Sequence, residues 1–300
     1  MSQHQSSQKS PMQQADIQQQ ITNSIIKILE KGTIPWKKPF VSDTTKFLGL
    51  PINFTTGVNY NGINILLLWI NAMDKQFPTN EWATLKQWNK LNESIRPQQK
   101  GTMIVKYDFF EKEKDGEIER IPYIKKSYVF NRSQLKSYVP VVGDHPVTDN
   151  VVEKIETIEE FVSNTKVKIQ HGGFQAFYNR ADDVITMPPT EHFIDTDYCT
   201  AGENYYSTMF HELGHWTGHE SRLKRLNDKF TKGNYAKEEL VAELTASFLN
   251  AKFEIAGNEI PNSAAYIASW LKELKDDKNM IVSAASAASK AVRYLESLDC

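Results

Sequence analysis

Residues 200–219 read TAGENYYSTMFHELGHWTGH, and this stretch decides the second half of the chain. Thr200 and Glu203 form a capping-box pattern, and Tyr205, Tyr206 and Phe210 follow, so the spacing predicts a helix starting just after Thr200. On that helix His211 and His215 stand four residues apart and project to the same side, about 5–6 Å apart at Cβ. Such a separation suits two bonds to one tetrahedral zinc ion. Glu212 falls beside the metal's open position, where a carboxylate can take a proton from bound water. The competing reading is a pair of helical histidines making ordinary polar contacts.

A catalytic zinc needs a third protein ligand. Gly218 occupies the glycine position of the longer pattern HExxHxxGxxH, but Ser221 stands at its third-histidine position and is a poor zinc ligand. His219 comes two residues early, after a helix-ending Thr217 and Gly218, and reads as a group that orients something behind the ligands. The remaining candidate is a carboxylate of the next helix, expected over residues 237–253. There Leu240, Val241, Leu244 and Phe248 make one stripe, while Glu239 and Glu243 share another face with Ala246, and Ala242 lies nearby. Alanines permit close helix approach, and two carboxylates on a partly buried face call for a cation. Glu238 sits about 100° around the helix from Glu239 and reads as solvated. The run from Glu239 to Glu243 resembles the ExxxD pair of glutamate-type zincins, with Glu in place of Asp. That resemblance implies Glu239 as ligand and Glu243 as the residue holding a ligand histidine. Tyr235, just ahead of this helix, is a candidate oxyanion donor by position alone.

Outward from this centre, Val151–Asn164 reads as a helix, followed by short strands at 167–170, 176–179 and 184–187. The first half opens with polar, glutamine-rich residues 1–14, expected to be a tail. Ile17, Ile21, Ile25, Ile28 and Leu29 then mark an amphipathic helix ending near Gly32. Residues 63–73 and 82–91 read as two further helices. Beyond Gly101 the pattern changes to a hairpin, with strands at 102–110 and 121–130 around a charged turn at 111–117. The fold class expected is α+β in two domains, 15–140 and 151–300, joined by a Pro/Gly/Asp-rich linker at 141–150.

The 300 residues carry a net charge of −2, assembled from two unlike halves. Residues 1–145 hold 19 Lys and Arg against 13 Asp and Glu, a balance of +6; residues 146–300 hold 16 against 24, a balance of −8. A basic half suits a polyanion. The two cysteines exclude a disulfide scaffold and a cysteine-rich zinc module. The longest apolar run, Ile63–Ile70, is interrupted by Asn64 and is too short to span a bilayer, and the polar N-terminus has no secretory h-region. A soluble, cytoplasmic protein without a membrane partner is expected.

Further residues carry a resemblance to a known family. They are AFY at 176–178, DVITMP at 183–188, HELGHWTGH at 211–219, SRL at 221–223 and YAKEELVAE at 235–243. In the first half they are GTIPW at 32–36, Pro39, NYNGIN at 59–64, Trp82, Thr84, Lys86, Gln87, VFN at 129–131 and Gln134. Over residues 16–298 the sequence resembles the ArdC family of antirestriction proteins carried by conjugative plasmids. The resemblance implies an N-terminal single-stranded-DNA-binding domain, mixed α/β, and a C-terminal zincin-like metallopeptidase domain, mainly helical with a small sheet. It also implies a protein that blunts restriction of incoming DNA. Phe40 stands where a tryptophan is common and leaves a stacking surface possible.

In the first half, aromatic residues are interleaved with cations, which suits base stacking beside phosphate contacts. The candidate DNA-binding residues are Trp36, Lys37, Lys38, Phe40, Tyr60, Trp82, Lys86, Lys125 and Lys126; Phe54 belongs to the same interleaved set. Trp69 and Trp88 read as core. Trp36, between two prolines and beside Lys37 and Lys38, reads as exposed. Three functions follow: a DNA-binding antirestriction protein with a working zinc peptidase acting on a host restriction enzyme or another protein; a single-strand-coating protein with a structural or inactive zinc site; and a peptidase whose first half recognises protein. Charge favours the first two, and the intact His211, Glu212 and His215 favour the first.

Overall fold

A computed structural model describes residues 11–36, 49–114, 117–140, 151–196, 199–226, 232–256 and 263–299. The first half comprises α1 (Pro11–Leu29), β1 (Ile52–Asn53), α2 (Ile63–Lys75), β2 (Glu81–Thr84), α3 (Leu85–Lys90), β3 (Thr102–Lys114) and β4 (Glu117–Asn131). Its sheet runs β1-β2-β4-β3, with β1 parallel to β2 and the other pairs antiparallel. The second half comprises α4 (Val151–Asn164), β5 (Lys168–His171), β6 (Phe177–Asn179), β7 (Val184–Met187), α5 (Ala201–Trp216), α6 (Lys232–Phe253), α7 (Ser263–Asp276) and α8 (Met280–Glu296). Here β5 pairs parallel and β6 antiparallel with the central β7. The fold is α+β. Among the described residues, no helix is long and apolar enough to cross a membrane.

Three expectations needed correction. The helix expected over 82–91 forms only from Leu85; Trp82 lies on β2 opposite Asn131. The start is set by chemistry at Thr84, whose hydroxyl accepts from the Gln87 N–H at 3.2 Å while its own N–H donates to Gln87 Oε1 at 2.9 Å. The charged stretch 111–117 is mostly strand, because the β3–β4 ladder runs on in register as far as Lys114 opposite Glu117. Helix α1 begins at Pro11, inside the stretch read as tail, and the linker at 141–150 lies outside the described residues.

The two halves share a core. Ile17, Ile21, Ile25 and Leu29 of α1 are buried in one cluster with Trp270, Leu274 and Met280 of the second half. Thr22 donates to the Lys278 carbonyl at 2.7 Å, and the Gly62 N–H donates to Ser289 Oγ at 2.7 Å. Trp69 on α2 meets Phe248 on α6 edge to face. Within the first half, Asn64 both donates to and accepts from the Val105 backbone at 2.8 Å, fastening α2 to β3.

Candidate metal centre

Helix α5 starts where the capping box requires: Thr200 Oγ1 accepts from the Glu203 N–H at 3.3 Å, and the Thr200 N–H donates to Glu203 Oε2 at 2.9 Å. Its buried face, Met209, Phe210, Leu213 and Trp216, fixes the rotation that turns His211 and His215 toward α6. The two helices are in contact at Gly214, where a Cβ would lie 2.8 Å from Ala242 Cα. No side chain fits there. Gly214→Ala therefore forces the helices apart and is expected to cost about 1–3 kcal/mol, read as a lower urea midpoint, together with a loss of bound metal.

This close crossing brings three ligand atoms together. The Nε2 atoms of His211 and His215 are 3.1 Å apart, and Glu239 places Oε2 3.6 Å from the first and Oε1 3.5 Å from the second. Metal–ligand bonds of about 2.0–2.1 Å give tetrahedral edges of about 3.3–3.4 Å, and each Nε2 has the other Nε2 and one Glu239 oxygen near that distance. The opposite ring atoms are backed by carboxylates: His211 Nδ1 is 3.4 Å from Glu243 Oε1, and His215 Nδ1 is 3.6 Å from Glu238 Oε1. Protons on Nδ1 would face those carboxylates and leave both Nε2 lone pairs converging, an arrangement that repels itself unless a cation sits between them. His211, His215 and Glu239 thus fit a divalent metal.

The electrostatics agree. Burial pulls the His211 imidazole down, but Glu239 and Glu243 outweigh it and hold its pKa well above the ordinary value. Burial pushes the Glu239 carboxyl up, yet His211, His215 and the Tyr235 hydroxyl bring it below its ordinary range. Carboxylates that stabilise positive charge on His211 in this way also favour a metal cation. Glu212 is buried; desolvation raises its pKa, with the two histidines and a hydrogen bond from the Tyr178 N–H opposing that rise. The Tyr235 hydroxyl hydrogen-bonds to Glu239, so in this arrangement it holds a candidate ligand.

The sequence reading missed the support behind His215. Glu238, read as solvated, is buried and receives Arg225 through Nη2 at 3.0 Å and Nε at 3.2 Å. Arg225 also donates to the Gly214 carbonyl at 2.7 Å and to Thr217 Oγ1 at 3.0 Å, tying the end of α5 to α6. The wheel angle was right, but the approach at Gly214 is so close that α5 covers both faces. His219 is a second correction. Its Nδ1 lies 2.7 Å from Ser221 Oγ and accepts the Ser221 N–H, a local turn contact with no bond to the ligand histidines among the described residues. Nearby, Arg222 joins Asp183 and the Tyr178 hydroxyl and stacks 3.9 Å over Trp216, fastening the β6–β7 hairpin to α5. Its hydrogen bonds hold the Asp183 carboxyl down at about 2. A separate cavity of about 620 Å³, lined by His171, Phe174, Phe177 and Thr186 among others, includes none of the metal-centre residues.

The expected DNA-binding residues are not gathered in this way. Trp36 is 1% exposed: the turn after α1 drives its ring against Trp270, with centroids 5.3 Å apart, so the expectation of exposure is overturned. Trp82 is also buried, packed with Leu68, Ala72 and Val129 because β2 is an inner strand. Tyr60 is half-buried against that cluster, and its hydroxyl accepts from Asn53 Nδ2 at 3.2 Å. Lys86 and Lys125 are exposed, whereas Lys126 is half-buried and donates to Gln20 at 2.7 Å. Lys37, Lys38 and Phe40 lie outside the described residues. Trp69 and Trp88 are core, as expected.

Comparison with known proteins places this geometry in a class. Residues 156–287 match the model of a zincin-like metallopeptidase, a class that implies a bound metal, and residues 15–130 match the N-terminal domain of the anti-restriction factor ArdC. Crystal structures of the antirestriction ArdC protein from plasmid R388, metal-free and Mn(II)-bound, superpose with TM-scores of 0.77 and 0.76. Each is 33% identical, and the matches cover 95% of this chain and 98% of that one. The chain is 30% identical over 297 residues to the uncharacterized protein y4eC of Sinorhizobium fredii, covering 94% of it. It is also 33% identical over 295 residues to a DNA primase TraC of Escherichia coli, of which it spans 19%. The chain belongs to the ArdC family of antirestriction proteins.

Proposed function

We propose that the protein binds single-stranded DNA and carries a zinc metallopeptidase site, and that it protects incoming DNA from host restriction. The observation that carries the enzymatic part is the convergence of His211 Nε2, His215 Nε2 and Glu239, with the buried Glu212 carboxylate one residue along the same helix. Two imidazoles and a carboxylate are a borderline-soft donor set that suits zinc better than magnesium or calcium. When bound, the metal supplies a Lewis acid and lowers the pKa of a water to about 7. Glu212, oriented by the Tyr178 N–H in a dry site where a carboxylate is a stronger base, would be the group placed to take that proton. Glu243 and Glu238 keep the imidazoles in the tautomer that presents Nε2.

The basic first half and its ArdC N-terminal match support the DNA part of the proposal. Protein purified without chelator is expected to contain one zinc per chain and to cleave casein or a restriction enzyme in a reaction that chelation stops and zinc restores. Absence of bound zinc would remove the proposed cofactor. Zinc without cleavage, with protection of DNA retained, would make the protein a strand-coating factor.

A further inference from the structure

We propose that an unpaired base of single-stranded DNA stacks on Phe54, flanked by Arg132, on the surface formed by the 53–59 loop, α3 and the turn after β4. This proposal rests on the single-strand reading above and gives the stacking role that Trp36 and Trp82, both buried, cannot fill. Phe54 is 38% exposed, and its ring rests 4.9 Å from that of Trp88, which is fully buried and pinned by its Nε1–H to the Phe130 carbonyl at 3.1 Å. The Arg132 guanidinium lies over the Phe54 ring, 5.2 Å from its centroid, and is held by Glu81 at 2.8 Å, so a base stacking here shares the ring with the guanidinium.

The loop beneath the ring is tied by hydrogen bonds. Asn53 Oδ1 accepts from the Thr55 N–H at 3.1 Å and the Thr56 N–H at 3.2 Å, and Gln87 Nε2 donates to Thr55 Oγ1 at 2.7 Å. Gly57, with φ at +68°, closes the turn in a conformation that favours glycine. A platform held this way loses little entropy when a ligand lands on it.

Charge gives the ligand its class. Residues 49–62 carry no charged side chain, while the segments 81–100 and 132–136, which bring Gln87 and Arg132 to this surface, hold six Lys and Arg against two Glu. Lys86 and Lys90 are exposed on α3. An exposed aromatic ring in a cationic field matches a polyanion whose base faces are open. A duplex offers the phosphates but keeps its base faces stacked, so the ring selects the single strand.

The test uses the full chain and a labelled oligo-dT strand of about 20 nucleotides, longer than the roughly 4–16 that single-strand sites occupy. Fluorescence anisotropy at low salt reads the affinity. Phe54→Leu keeps apolar volume but removes the π-face, and is expected to weaken binding by about 5- to 150-fold with the melting temperature retained. Phe54→Tyr keeps the face and should bind like the natural chain. Arg132→Gln, on an exposed side chain, should weaken binding by about 2- to 30-fold. Lys86→Gln should lower the slope of log affinity against log salt by about 1. A natural chain that binds neither strand state would overturn the single-strand reading itself. A natural chain that binds while Phe54→Leu and Arg132→Gln bind equally well, or that holds duplex as tightly as single strand, would overturn this platform alone.

Discussion

Glu212→Gln is expected to lower peptide hydrolysis by roughly 10²–10⁴-fold while zinc content stays at the natural level. Gln matches Glu in shape and can still accept the Tyr178 N–H, so the local structure is preserved. It cannot take a proton, and that is the step assigned to this residue. Because the three proposed ligand atoms come from His211, His215 and Glu239, the exchange removes none of them. Metal analysis and casein turnover on the same preparation separate the two effects. Cleavage at the natural rate by the Gln variant would rule out Glu212 as the base.

The second large effect concerns the two carboxylates of α6. Glu239→Ala removes one of the three converging groups and is expected to weaken zinc binding by more than the roughly 10–100-fold that follows loss of a supporting residue such as Glu243. The asymmetry follows from position. Glu239 lies against both Nε2 atoms, whereas Glu243 is placed at His211 Nδ1, on the far side of the ring. Zinc titration against a competing chelator measures both variants. Greater loss with Glu243→Ala would exchange their roles.

Much of this centre was legible because its geometry is local. A helix fixes the relative directions of residues 211, 212 and 215, and of 239 and 243, before any tertiary contact forms. Glu238 was not legible for the complementary reason. Its burial depends on how near α5 comes, which is set by the absent side chain at Gly214 and by Arg225 reaching across from the turn beyond α5. The first half was harder. An aromatic residue beside lysines is equally consistent with a core anchor and a stacking surface, and the sequence offers no sign that Trp36 meets Trp270 more than two hundred residues later. Phe54 had a weaker sequence context than either tryptophan. Its candidacy comes from its exposure and from Arg132, a residue on another element. Thr84 and Gln87 show the opposite case: a capping pair three residues apart overrode a periodicity that would have begun the helix at Trp82.

The packing of α1 against the last two helices has a consequence for the order in which the chain is made. Thr22 bonds to a carbonyl 256 positions later, and Ile21 and Ile25 are buried with side chains from that same end of the molecule. At translation rates of about 5–20 residues per second, the first helix waits roughly 13–50 s for its partners to be synthesised. During that interval its apolar stripe lacks the partners that bury it in the finished fold. The stripe on α1 therefore reaches its buried position only once α7 and the start of α8 have been made, which couples the folding of the basic half to that of the acidic half.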